Sequence, residues 1–113
     1  MSIFRQLTRQ GERLRSTADC LTPSEEGLAI AKQSIVISRE VIRTIQDQVQ
    51  SLGLQVLANH LETLNGDMHW TIVNWDLFVN EQARFYLEQA AAHTLSIADW
   101  VDRGIKIEPG DYP

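Results

Sequence analysis

Apolar residues recur along this chain with helical spacing, most regularly between Thr22 and Gly53. Leu28, Ala31, Ile35, Ser38, Ile42, Ile45, Val49 and Leu52 follow one another at alternating intervals of three and four, a heptad seam broken only by Ser38. Ile30, Ile37 and Val41 lie beside it and broaden the apolar face beyond a narrow two-helix seam. Thr22-Pro23-Ser24-Glu25 has the form of a capping box, with a hydroxyl at the N-cap, proline at the first helical position and a carboxylate that reaches back. Gly53 closes the stretch, because glycine takes the left-handed backbone that a helix C-cap needs. A helix of roughly thirty residues is about 45 Å long at ~1.5 Å per residue, so it must be packed along most of its length.

Before it, residues 2–18 predict a first amphipathic helix, with Phe4, Leu7, Leu14, Ala18 and Leu21 on one stripe and Gly11 in the remaining slot. Glycine costs about 1 kcal/mol of helix propensity relative to alanine, so fraying or a kink is expected at Gly11. After Gly53, Leu54, Leu57, Leu61 and Leu64 start a pattern out of phase with the seam and predict a short third helix over 54–65. Asn65-Gly66 is a strong turn signal that ends it, and Asp67 caps the next helix.

From Met68 to Leu95 the spacing predicts a second long helix. Met68, Ile72, Trp75, Val79, Ala83, Tyr86, Ala90, His93 and Ile97 fall on one stripe, while Trp70, Val73, Leu77 and Phe78 point elsewhere and Phe85 lies on a flank. A helix apolar on every side is buried on every side, and four helices of this size cannot enclose it. A second chain, either a copy or a partner, is therefore expected over part of Trp70–Phe85; the alternative is that these aromatics simply fill a compact core. Ser96-Ile97-Ala98-Asp99 resembles another capping box, which predicts a break near Leu95 and a last turn to Arg103 with Gly104 as its cap. Ile105-Lys106-Ile107 alternates like an extended segment, and residues 105–113 form a tail. The expected fold is all-α: a single domain over 1–113, a small dimeric helical bundle of two long antiparallel helices with shorter flanking ones. Residues 2–18 could behave as a semi-independent arm.

At 113 residues the chain is near the size at which oligomerisation often adds burial. No run approaches the eighteen or so apolar residues of a membrane span, and the N-terminus has no apolar core of a secretory signal. A lone Cys20 excludes an internal disulfide framework. A cytoplasmic location is the simple expectation. The net charge of −5 is unevenly spread. Residues 1–43 carry seven Lys/Arg against five Asp/Glu, whereas from Thr44 to Asp102 Arg84 alone faces Asp47, Glu62, Asp67, Asp76, Glu81, Glu88, Asp99 and Asp102. Such a field aids solubility, steers a basic partner and disfavours direct nucleic-acid binding. The row Arg5, Arg9, Arg13 reads as a solvated face, as an arm that docks on an acidic surface, or as a targeting or membrane-surface helix, for which its few large apolar residues are a poor fit.

Chemistry is thinly represented. His60, His69 and His93 lack the spacing of a helical-bundle metal site, so a centre would require them to converge in space. Glu62, Asp67 and Asp76 are indistinguishable from a polar face, and Cys20 has no recognisable base beside it. The six glycines form no phosphate-binding loop. Neither catalytic residues, nor a metal, nor a cofactor is expected. The distinctive assets are the apolar-aromatic band and the acidic second half. The candidate partner-binding residues are Trp70, Val73, Leu77, Phe78 and Phe85, with Glu81 and Glu88 contributing charge. Their expected role is to occlude an oligomerisation or DNA-binding surface of a basic protein partner.

The arrangement of Pro23–Leu52, Met68–Leu95 and Ile105–Ile107 resembles that of small all-helical antiactivators of quorum sensing. The resemblance implies a LuxR-like transcription activator as partner and control of its DNA binding as the outcome. It is one of layout, carries over no functional residue and does not account for the arginine row. A toxin-immunity protein or secretion chaperone would use the same kind of surface against an effector. A small metal-dependent enzyme would need the three histidines to meet.

Overall fold

The heptad seam forms one helix. In the computed structural model, which describes residues 2–103, α2 runs over Glu25–Ser51, and Ala31, Ile35, Ser38, Ile42, Ile45 and Val49 are buried. The start lies two residues later than the expected Thr22 cap. Ser24 takes the extended cap conformation and its Oγ accepts from the Gly27 N–H at 3.0 Å, leaving Glu25 and Glu26 in the first turn, where the helix dipole favours them. Gly53 has φ of +77° and turns the chain as expected. Of the broadened face, Ile30 and Ile37 are exposed, whereas Val41 is half-buried against the core.

α1 spans Ile3–Asp19, capped by Ser2, whose Oγ accepts from the Arg5 N–H. Leu7, Leu14 and Ala18 are buried in the common core, and Arg5, Arg9, Arg13 and Arg15 are exposed. The helix runs unbroken through Gly11. A side chain there would collide with Leu95, so the glycine marks the close approach of two helices and does not weaken its own.

The boundaries in the second half differ from expectation. α3 runs over Gln55–Val73, straight through Asn65-Gly66. Leu57, Leu61, Leu64, Met68 and Thr71 keep one buried phase across those residues. Asn65, buried, donates from Nδ2 to Gln46 Oε1 at 2.8 Å, and its carbonyl accepts from Arg39 Nε at 3.3 Å. Tertiary burial thus overrides a turn signal whose cost, for the exposed Gly66, is about 1 kcal/mol.

The chain breaks instead inside the expected Met68–Leu95 helix. Asn74 donates from its side chain to the Trp70 carbonyl at 2.8 Å, competing with the helical ladder. A 3-10 turn follows at Trp75–Leu77, and Phe78 is extended. α4 then spans Asn80–Asp102, with the Val79 N–H donating to Gln82 Oε1 at 3.1 Å. It does not break at Ser96, because Thr94, Ile97 and Ala98 continue its buried stripe. Residues 70–79 are therefore a helix end, a tight turn and a helix start; the helix apolar on all sides does not form. Gly104 and the Ile105–Ile107 segment lie outside the described residues.

The result is an all-α bundle of four helices, with no strand among the described residues. α1 packs mainly on α4, α2 mainly on α3, and the α3–α4 seam is much thinner than either. The core includes Leu7, Leu14, Ile35, Ile42, Leu61, Met68 and Leu87, all wholly buried. Trp75 ties the connection down, its Nε1 donating to the Leu28 carbonyl at 2.9 Å. No helix among the described residues is long and apolar enough to cross a membrane.

Candidate functional site: a cleft between α3 and α4

The thin seam opens into a cleft of about 420 Å³. α3 contributes Leu64, Asp67, Trp70 and Thr71, and α4 contributes Phe85, Tyr86, Gln89, Ala90, His93 and Ser96. The helical repeat explains the sets: Asp67 and Trp70 are one turn apart on one face, as are Phe85 and Gln89.

At one end stands a continuous ring network. Trp75, 3% exposed, meets Phe78 edge-on at 6.2 Å between centroids. Phe78 stacks on Tyr86 at 4.8 Å and contacts Trp70 at 5.9 Å. Trp70 and Tyr86 meet at 5.3 Å and 60°, and Phe85 meets Tyr86 at 5.3 Å and 82°. The network climbs from core to solvent: Trp70 is 50% and Phe85 51% exposed, and Leu77 reaches 78%. Val73 and Val79 are exposed beside them. Trp70, Val73, Leu77 and Phe85 thus carry open apolar surface, whereas Phe78 is half-buried and holds the rings together. Tyr86, Asp67 and Val79 belong to the same feature but not to the sequence-derived set. Asp67 precedes Trp70 by one turn, a signal available in the sequence; Tyr86 required the position of the helix break.

Among the described residues the carboxylate that lines the cleft is Asp67, and no Lys or Arg accompanies it. Glu81 and Glu88 lie one turn on either side of Phe85 along α4 and are exposed, as is Asp67. None of the three forms an ion pair among the described residues, where the pairs are Arg43–Glu40 and Arg103–Asp99. Arg84 is directed away, its Nη2 donating to the Leu21 carbonyl at 3.4 Å.

Two of the three histidines approach one another. His60 meets Trp100 edge-on at 5.6 Å. Burial, and secondarily the nearby His93, push the His60 pKa below its ordinary value. His69 is exposed and takes no part. Among the described residues no group of three or more His, Cys, Asp or Glu could hold a metal ion, so the convergence of all three histidines does not occur. Cys20 is a free, exposed thiol at the end of α1. Compared with protein-family models, curated proteins and solved structures, the chain finds no match in any of the three.

Proposed function

We propose that this protein is a non-enzymatic binding module that covers a surface of a protein partner with the ring network at the α3–α4 cleft. The observation that carries the reading is that Trp70, Val73, Leu77, Val79 and Phe85 are exposed around one short connection. Aromatic side chains bury on the order of 150–250 Å² each when enclosed and Val or Leu less, so these five, half or more exposed, leave roughly 400–500 Å² of apolar surface, the upper range for a monomer's largest patch. At about 25 cal/mol per Å² its burial contributes on the order of 10 kcal/mol before the cost of association, enough for a specific complex of moderate affinity.

In the resemblance to quorum-sensing antiactivators, the covered surface would be the dimerisation or DNA-binding face of a LuxR-like activator. The free protein self-associates through the same rings. Two copies in that arrangement bring Asp67, Glu81 and Glu88 towards their own counterparts, so the homodimer is weak and strengthens with salt. Affinity capture from the source cell tests the function, with Trp70→Ser/Phe85→Ser protein as control. Recovery of a DNA-binding regulator by the parent chain, lost with the control, is the expected result. Identical recoveries from both proteins refute it. A nuclease or other effector in place of the regulator assigns the surface to immunity or chaperoning.

A further inference from the structure

We infer that the occupant of the α3–α4 cleft is a cationic amphipathic helix of the partner, which sets its apolar anchors among the rings and its Arg or Lys side chains against Asp67, Glu81 and Glu88. The inference rests on the binding reading above and adds the chemistry of the partner. Cleft dimensions favour side chains presented by a helix. Leu64 to Thr71 covers about 10 Å of α3 and Phe85 to Ser96 about 16 Å of α4, at ~1.5 Å per residue. Anchors at i, i+3 or i+4, and i+7 of an α-helix span about the same length. A volume of about 420 Å³ admits those anchors while the helix itself lies across the rims.

Charge selects among the occupants of that shape. Among the described residues no Lys or Arg lines the cleft, and its carboxylate, Asp67, forms no ion pair, nor do Glu81 and Glu88 beside Phe85. A second copy repeats the same negative charges, and an acidic segment adds to them. A basic helix meets Asp67 in the cleft itself and, beside it, Glu81 and Glu88, exposed one turn on either side of Phe85 along α4. Aromatic faces at Trp70 and Tyr86 beside Asp67 also suit a guanidinium, which is attracted to ring faces and to a carboxylate at once. The accepting groups of Gln89 and Ser96 continue the polar side.

The test uses the full chain and three synthetic amphipathic helices of about four turns. All share one leucine face, with Arg, Gln or Glu at the flanking positions. Binding is read from the emission of Trp70, with Trp70→Phe protein as the blank, and located by backbone amide shifts. The Arg peptide is expected to bind about tenfold more tightly than the Gln peptide near 50 mM salt, the ratio for three partly exposed ion pairs. The advantage shrinks towards unity near 500 mM, and the Glu peptide binds most weakly. In Asp67→Asn/Glu81→Gln/Glu88→Gln protein the preference disappears while thermal unfolding is unchanged. Equal affinity of Arg and Gln peptides for the parent chain overturns the cationic partner and leaves the binding surface standing. Failure of every peptide to shift amides of the cleft overturns both.

Discussion

Gly11 offers the sharpest test of how the bundle is assembled. On α1, a β-carbon at this position would sit 2.6 Å from both Cγ and Cδ2 of Leu95 and 3.5 Å from the Ala91 carbonyl oxygen. Carbon atoms in good contact are ~3.5–4.0 Å apart, so Leu95 must move by about 1 Å or leave its rotamer. Forcing a methyl group into such a contact costs roughly 1–3 kcal/mol. Against this, alanine gains about 1 kcal/mol of helix propensity over glycine. Gly11→Ala is therefore expected to destabilise the protein by about 1 kcal/mol, although the same change on an open helix face stabilises. Leu95→Ala removes the atoms that collide, at a cost of about 1–2 kcal/mol for a half-buried leucine. In that background Gly11→Ala reverses sign and stabilises by about 1 kcal/mol, a coupling of about 2 kcal/mol.

Urea unfolding of the four proteins, followed by far-UV circular dichroism, measures the cycle, with equal m-values as the check that the same surface is exposed in each. For a chain of this size each 1 kcal/mol moves the melting midpoint by roughly 4–6 °C, so the reversal is readily resolved. If Gly11→Ala stabilises the parent chain, or if its effect is the same with and without the Leu95 side chain, the close approach of α1 to α4 does not require glycine and the reasoning fails.

The remaining predictions concern the rings and His60. Leu87→Ala, wholly buried, should cost about 2–5 kcal/mol, whereas Phe85→Ser should cost under about 1 kcal/mol and lower self-association in sedimentation experiments; comparable losses would make Phe85 an ordinary core residue. Phe78→Asp should damage fold and association together, because Phe78 bridges Trp75, Trp70 and Tyr86. Trp75→Phe loses the hydrogen bond to the Leu28 carbonyl and should cost about 1–2 kcal/mol, while acrylamide quenching should fall on Trp70→Phe and not on Trp75→Phe. His60 has its pKa lowered in the folded state, so the unfolded chain takes up the proton first as pH falls below about 6.5. Its contribution to stability is full above that pH and is lost as pH falls towards the folded pKa; His60→Gln should flatten the fall in stability below about pH 6.5, and an unchanged slope would remove His60 as the cause.

Periodicity was a sound guide wherever helix and burial agreed. Leu7, Leu14 and Ala18 of α1, and the α2 positions from Ala31 to Val49, are buried in the phase that their spacing predicts. Local signals misled where tertiary contacts overruled them. Asn65-Gly66 is a turn in isolation, but inside the helix Asn65 donates to Gln46 and its backbone carbonyl accepts from Arg39, and Met68 and Thr71 hold the phase beyond it. The real break carried a quieter signal: Asn74 and Asp76, residues that compete for backbone hydrogen bonds, set among large apolar side chains. With the break misplaced, an excess of rings could be counted in the sequence, but the facing of Trp70 with Tyr86 and the cleft beside Asp67 could not. Those depend on which turn of α3 meets which turn of α4.

Side-chain size on the two sides of α4 explains where the bundle is tight and where it opens. Its buried stripe holds Ala83, Ala90, Ala91 and Ala98, and α1 answers with Gly11 opposite Leu95. Small residues let two helices approach closely, and α4 packs most extensively on α1. Towards α3 it presents Tyr86, Gln89 and His93, long side chains that keep the helices apart and line the cleft. A seam of that kind adds little to the stability of the monomer, and half-open Trp70 and Phe85 expose apolar surface that polar residues could have replaced at no cost to the core. Folding therefore does not require rings at this seam. Under the proposed binding role the rings would instead serve association with a second surface, and Asp67, Glu81 and Glu88, without ion pairs among the described residues, would favour a basic one.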